Sequence, residues 1–293
     1  MSCRLFLVDV FAERPYAGNP LAVVVASEPL PEPDMQAIAA EMNFSETTFV
    51  SPTAGADGAH RVAIFTPARR IDFAGHAILG TASVIRRMSG AVSSAPLHLR
   101  LDGGTVVVDF EASDLPWFTA PPIVMGPACP PAPIAHAVGL PIGDIEPRSP
   151  VQLARAGATA ALIVPLRSRD ALARCALDLG KFAPLAAVGF APLVYLFCRD
   201  AVQPVNDLRA RFFFDANGVR EDPATGNGAA FLGAYLLEHG VLASQRASLR
   251  IEQGDEVRRP SLVRMRAQVA DRVRIISVGG RVIPIAEGNL LRG

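Results

Sequence analysis

Two glycine-rich turns contain residue types that suit the binding of a small anion. They are residues 73–76 (Phe-Ala-Gly-His) and 222–228 (Asp-Pro-Ala-Thr-Gly-Asn-Gly), and each leads into an apolar segment with helical spacing. Glycine lets a ligand approach the backbone closely, and the unpaired amides at a helix start carry roughly half a positive charge. The pattern predicts that four residues bind a substrate carboxylate: Gly75, Gly226, Asn227 and Gly228. The alternative, in which the glycines only allow close helix packing, has at least equal weight for either turn alone.

Glu46 is the candidate general base. It follows a segment with the spacing of an amphipathic helix that ends near Asn43, and it precedes the strand-like residues 47–50. A carboxylate in such a place is partly desolvated, and a partly desolvated carboxylate is better suited to accept a proton. A lone glutamate in a loop is usually a solvated surface charge, and spacing alone favours that alternative.

His76 and Asp222 are the other polar candidates. His76 lies in the first turn of an apolar helix, so its ring should point toward the helix start, whereas we interpret the other histidines as structural or exposed. Asp222 precedes Pro223, which holds the residue before it extended. Asp222 could cap the second helix or contact substrate, and the two roles are compatible.

The elements that position these residues form two similar halves. Residues 75–80 (Gly-His-Ala-Ile-Leu-Gly) are echoed by residues 228–233 (Gly-Ala-Ala-Phe-Leu-Gly), and both segments continue as helices that are apolar nearly all round and therefore buried. The repeat favours two strand-rich lobes, each around a central helix, although chance similarity of two Ala/Gly-rich helices is the alternative. We place the lobes at 1–120 and 121–293, with a last strand that could return to the first lobe.

Local patterns predict a helix ending near residue 43 and a series of strands. The proline-dense stretch 115–150 is predicted to be a linker, because proline removes backbone donors and favours an extended chain. The predicted strands cover residues 5–11, 21–25, 47–50, 97–101, 106–110, 161–165, 194–197, 211–214, 263–269, 273–278 and 282–286.

Composition excludes several functional classes. The 28 basic and 28 acidic side chains cancel, so nothing in the net charge favours a nucleic-acid or membrane partner. The four cysteines are scattered without a Cys-x-x-Cys pair, which fits neither a zinc site nor a disulfide framework. The apolar run at residues 1–11 contains Arg4 and Asp9, and it is too short and too charged for a signal peptide or a membrane span. We therefore expect a cytoplasmic protein with reduced thiols.

Eight short segments occur in the order in which the PhzF-like (phenazine-biosynthesis) family has its signatures. They are residues 9–11, 18–24, 45–50, 65–67, 73–76, 79–82, 222–226 and 233–236. Residues 253–254, 259–261, 279–280 and 287–288 are similar to the family's C-terminal pattern. The chain thus resembles this family over essentially its whole length.

The resemblance implies an α+β, diaminopimelate-epimerase-like fold. In that fold two pseudo-symmetric lobes, each a β-barrel-like sheet around a central helix, have the active site between them. It also implies that Glu46 moves a proton between substrate carbons and that His76 and Asp222 orient the substrate. The expected activity is that of a homodimeric isomerase acting on a small carboxylate without metal or organic cofactor. Two alternatives stay open: a one-base dehydratase or lyase acting on an amino-acid-like substrate, and a non-catalytic small-molecule-binding protein.

Departures from the family pattern separate reaction class from substrate. Ala77 and Ile78 stand where the family usually has Pro-Thr, Asn227 replaces a small hydroxyl residue, and Arg-Ala-Gly at 155–157 replaces Ser-Thr-Gly. Related cysteine-dependent racemases have a thiol before the glycine of each turn, but those positions are Ala74 and Thr225 here. Alanine cannot transfer a proton. A two-thiol mechanism is therefore excluded, and a single-base mechanism is expected.

Overall fold

The computed structural model describes residues 3–90, 95–111, 114–157, 159–216, 219–242, 244 and 246–291. Its strands are β1 (Cys3–Val10), β2 (Asn19–Ala26), β3 (Glu46–Val50), β4 (Ala59–Phe65), β5 (Arg70–Ile71), β6 (Leu97–Leu101), β7 (Gly104–Phe110), β8 (Pro116–Thr119), β9 (Val124–Cys129), β10 (Val151–Ala156), β11 (Thr159–Pro165), β12 (Val194–Cys198), β13 (Leu208–Ala216), β14 (Val219–Asp222), β15 (Arg246–Gln253), β16 (Ser261–Ala270), β17 (Val273–Gly279) and β18 (Val282–Leu290). Its α-helices are α1 (Glu32–Met42), α2 (Gly75–Ser89), α3 (Pro131–Ala137), α4 (Arg169–Arg174), α5 (Leu179–Ala187) and α6 (Gly226–Glu238).

The chain divides into two compact units. Unit 1 contains the described residues up to Thr119 together with those from Gly279 onward, and unit 2 is Ala120–Val278. The last strand belongs to unit 1 because β18 pairs antiparallel with β1 along its whole length, from Cys3 opposite Leu290 to Val10 opposite Val282. None of the helices in the described parts of either unit is long and apolar enough to cross a membrane.

Unit 1 is a sheet in the order β18-β1-β2-β3-β4-β6-β7-β8. The strand β1 is antiparallel to both of its neighbours, β2 is parallel to β3, and β3 is antiparallel to β4. The strand β4 then pairs antiparallel with the short β5 and parallel with β6, and two antiparallel pairings complete the order. The helix α2 follows β5 in the chain and packs against the strands of this unit.

Unit 2 repeats this pairing pattern over the strands from β9 to β16. Its order is β9-β10-β11-β12-β13-β15-β16, with β11 parallel to β12, β13 parallel to β15, and the short β14 antiparallel to β13. The helix α6 follows β14 as α2 follows β5, and α4 with α5 occupies the place of α1. Two sheets of the same topology, each with its own buried helix, confirm the fold predicted from the repeat.

The repeated glycines allow each central helix to approach its sheet. A Cβ at Gly80 would lie 2.4 Å from the Leu21 side chain, and one at Gly233 would lie 2.9 Å from Ile276 and Met265. The repeat therefore aligns the glycines that pack against strands. It does not align the helix starts, since α6 begins at Gly226 rather than at Gly228.

The prediction of a linker at 115–150 is wrong. This stretch contains β8, β9, α3 and a 3-10 turn, Ile142–Asp144. Trp117, Phe118 and Ile134 are buried in it. Its prolines are compatible with structure because Pro131 occupies the first turn of α3, where a missing N–H has no cost.

Candidate functional site

Glu46 and His76 lie side by side in unit 1. Glu46 begins β3, opposite Leu21 of β2, and His76 is in the first turn of α2. Glu46 Oε2 lies 3.1 Å from His76 Nε2, and the side chains are 16% and 5% exposed. This is ion-pair distance, although the groups are not aligned as a linear hydrogen bond. Contacts between catalytic groups often tighten only when substrate binds.

Asn19 approaches the other ring nitrogen of His76. Its Nδ2 lies 3.5 Å from His76 Nδ1, and both side chains are buried. In this orientation of the Asn19 amide, Nδ2 would donate to Nδ1, and the ring hydrogen would then be on Nε2, which lies beside Glu46. We call Asn19, Glu46 and His76 the first cluster.

Two contacts hold the first cluster in place. Thr48 Oγ1 and Thr81 Oγ1 share a buried hydrogen bond of 2.8 Å, which joins β3 to α2. Asp9 accepts a hydrogen bond of 2.7 Å from the Tyr16 backbone N–H in the turn that leads to Asn19. The sequence motifs that contain Asp9, Thr48 and Thr81 do not by themselves indicate these contacts.

A second cluster lies in unit 2 and consists of Tyr195, Asp222, Thr225 and Gln253. Asp222 ends β14 and is 7% exposed, and its Oδ2 accepts a hydrogen bond of 2.6 Å from the Thr225 hydroxyl. Thr225, rather than Asp222, is the N-cap residue of α6. Burial and the nearby charge of Asp222 raise the pKa of Tyr195, so its hydroxyl stays protonated. That hydroxyl donates to Gln253 Oε1 at 3.5 Å.

The predicted glycines have different surroundings. Gly75 and Gly226 are the first residues of α2 and α6, and neither N-cap residue makes a side-chain capping hydrogen bond. A Cβ at Gly228 would lie 2.3 Å from the Tyr195 ring, so packing alone requires glycine there. Asn227 is half-buried in the first turn of α6. The structure thus places the predicted residues at two helix starts, and their roles in binding stay predictions.

The residue before each helix-start glycine has no thiol. These residues are Ala74 and Thr225, the N-cap positions of α2 and α6. All four cysteines are buried and free. Burial raises the pKa of the Cys129 and Cys175 thiols to about 11 and about 12, so both are protonated at neutral pH.

No set of three His, Cys, Asp or Glu side chains in the described ranges is arranged to bind a metal ion.

The topology of the two units and their central helices defines the fold class of the protein, which is α+β and diaminopimelate-epimerase-like. The chain matches the crystal structure of a phenazine biosynthesis protein of the PhzF family from Bacillus anthracis with a TM-score of 0.88 and 22% identity, over 100% of both chains.

The chain belongs to the phenazine biosynthesis-like protein family, whose model matches residues 8–288. It is 33% identical to an uncharacterized isomerase of Pasteurella multocida, over 97% of this chain and 92% of the relative. It is 32% identical to the trans-2,3-dihydro-3-hydroxyanthranilate isomerase of Pseudomonas aeruginosa, over 97% of this chain and 98% of the relative. These relatives confirm the family and the enzyme class, isomerase, that the sequence predicted.

Proposed function

We propose that this isomerase moves a proton within a small carboxylate-bearing substrate, uses Glu46 as its single base, and needs no cofactor. The observation that carries the proposal is the contact of 3.1 Å between Glu46 and His76 at the start of α2. Glu46 is 16% exposed, so it is shielded from bulk water but can still be reached by a ligand.

In the proposed reaction Glu46 removes a proton from an activated carbon, becomes protonated, and returns the proton to a different carbon. The substrate is neither oxidised nor reduced, and its mass does not change. The imidazole of His76, whose Nε2 lies 3.1 Å from Glu46 Oε2, orients the carboxylate of Glu46. The amides at the start of α2 supply a positive dipole end for the substrate carboxylate, which keeps the reacting carbon near the base.

The second cluster and the start of α6 are proposed to orient the polar groups of the substrate through Asp222, Gly226, Asn227 and Gly228. The first compound to test is the one named for the Pseudomonas aeruginosa relative, trans-2,3-dihydro-3-hydroxyanthranilate. Ala77 and Asn227 differ from the residues usual in the family, so the type of reaction is expected to carry over better than the substrate.

The test is proton NMR in D₂O of the purified protein with this compound and a panel of small cyclic and amino acids. Deuterium incorporation or isomerisation is expected in wild type and is expected to vanish in Glu46→Gln. The matched control is Glu41→Gln, which removes an exposed carboxylate of α1 and should leave the rate unchanged. Activity that survives in Glu46→Gln contradicts the single-base mechanism, and release of water from the substrate would identify a lyase instead.

A further inference from the structure

We infer that Gln253 is a positioning residue that sets the direction of a hydrogen-bond chain ending on Asp222. Its contribution to catalysis rests on the proposed function, whereas its effect on the turn at residues 222–226 does not. Gln253 is the last residue of β15 and is 2% exposed.

Every hydrogen-bonding position of the Gln253 amide is used. Nε2 donates to the Asp222 carbonyl at 2.8 Å and to Thr225 Oγ1 at 3.0 Å. Oε1 accepts from the Thr225 backbone N–H at 3.3 Å and from the Tyr195 hydroxyl at 3.5 Å. A glutamine amide offers two donors and two acceptor lone pairs, so this buried side chain is fully satisfied.

The orientation of this amide follows from its backbone partners. The carbonyl of Asp222 can only accept, and the backbone N–H of Thr225 can only donate, so Nε2 and Oε1 cannot exchange places. The Thr225 hydroxyl accepts from Nε2 and must therefore direct its own hydrogen to Asp222 Oδ2, 2.6 Å away. The hydrogen-bond chain therefore runs in one direction, from Gln253 through Thr225 to Asp222. It fixes the orientation of the Asp222 carboxylate.

The backbone next to Gln253 is pressed against the same turn. Gly254 has φ +90°, and a Cβ there would lie 2.4 Å from the carbonyl oxygens of both Pro223 and Arg259. On the other side, the Tyr195 ring fills the space that the missing side chain of Gly228 leaves. Gln253 therefore connects the end of β15 to the turn before α6 and to the first turn of α6.

The experiment compares Gln253→Met, which keeps the shape of the side chain but removes its hydrogen bonds, with Thr225→Val and Thr225→Ser. Hydrogen exchange of the Thr225 amide, followed by NMR, is expected to become at least tenfold faster in Gln253→Met, since Oε1 is its acceptor. The matched control is Gln152→Met, which removes a half-buried strand glutamine from the same unit. In the control the Thr225 amide should exchange at the wild-type rate.

The kinetic arm tests the direction of the chain. Gln253→Met and Thr225→Val should each lower kcat/KM by about 10-fold to 100-fold, the cost of one or two lost hydrogen bonds. The double variant should have a kcat/KM no lower than that of either single variant, because residues of one hydrogen-bond chain act together. Thr225→Ser, which keeps the hydroxyl, should restore activity.

The two arms distinguish failure of this inference from failure of the proposed function. Unchanged exchange at Thr225 in Gln253→Met overturns the inference, whatever the activity. Faster exchange with unchanged kcat/KM in an active enzyme also overturns it, because the amide is then only structural. If wild type has no isomerase activity, the proposed function is contradicted, and the exchange measurement alone decides whether Gln253 positions the turn.

Discussion

The two clusters lie at corresponding places in two units of the same topology, yet their polar groups are held differently. In the first cluster Glu46 is half-buried, and its carboxylate contacts an ionisable ring. In the second, Asp222 is buried, and its carboxylate accepts a hydrogen bond of 2.6 Å from a hydroxyl. A group that must gain and lose a proton needs access to its ligand, whereas a group that orients a ligand benefits from being fixed.

The difference shows which features belong to the scaffold. Both central helices begin with glycine, follow an extended N-cap residue, and approach their sheets through Gly80 and Gly233. The chemistry differs because the residues after the first glycine are His76 in one helix and Asn227 in the other. The repeated part of each unit therefore forms the start of a central helix. The side chains at that start determine which chemistry it can support.

The largest expected effect separates the two clusters by kinetics. Glu46→Gln should lower kcat by about 10²-fold to 10⁴-fold, the usual contribution of a general base. Asp222→Asn should mainly raise KM, by about 10-fold to 100-fold, the cost of a charge-assisted hydrogen bond. Steady-state kinetics of the two variants with the substrate found by NMR checks this. If Glu46→Gln changes only KM and Asp222→Asn changes only kcat, the two roles are assigned the wrong way round.

The next effect concerns stability at the second cluster. Gly254→Ala combines a positive φ with close contact to two carbonyl oxygens, so it should lower the free energy of unfolding by about 3 kcal/mol or more. The matched control is Gly58→Ala in unit 1, at φ +75° with no atom within 4 Å of the added Cβ, which should cost only about 1 kcal/mol. Urea unfolding measures both values. Equal losses would show that the contact with Pro223 does not constrain the turn.

The smallest effect concerns the far end of α6. His239 lies just after α6 and its Nε2 contacts Gln152 Oε1 at 2.5 Å; burial lowers the pKa of His239 from 6.5. The unfolded chain therefore takes up a proton near pH 6.5 before the folded chain does, so stability should fall as the pH drops below 6.5. Thermal unfolding between pH 5 and pH 8 measures this.

His239→Gln should flatten that part of the stability profile. Any pH dependence of activity between pH 5 and pH 8 that remains in this variant then reports on the active site. An unchanged profile in His239→Gln would show that another group causes the loss of stability. A flattened profile would exclude loss of stability through His239 as the cause of a pH-dependent activity, so that the two clusters can be compared directly.

Local pattern was sufficient for much of the fold and for the helix starts. Each predicted strand overlaps an observed one, and the predicted helix before Asn43 is α1. The linker at 115–150 was wrong because proline was interpreted without its position in α3 and β8. Several observed strands, β15 among them, were not predicted, and neither was the role of Gln253 at the end of β15. Its partners Thr225 and Asp222 are 28 and 31 residues away, and no local pattern reveals such a pairing.

The pairing of β18 with β1 has a consequence for biosynthesis. The second unit is a continuous stretch of chain, whereas the first needs a strand that the ribosome makes only after that stretch is complete. One edge of β1 is therefore unpaired for the whole time that the second unit is being translated. Because an open strand edge invites association with other chains, the nascent polypeptide is most at risk of aggregation during this interval. Its last strand closes that interval.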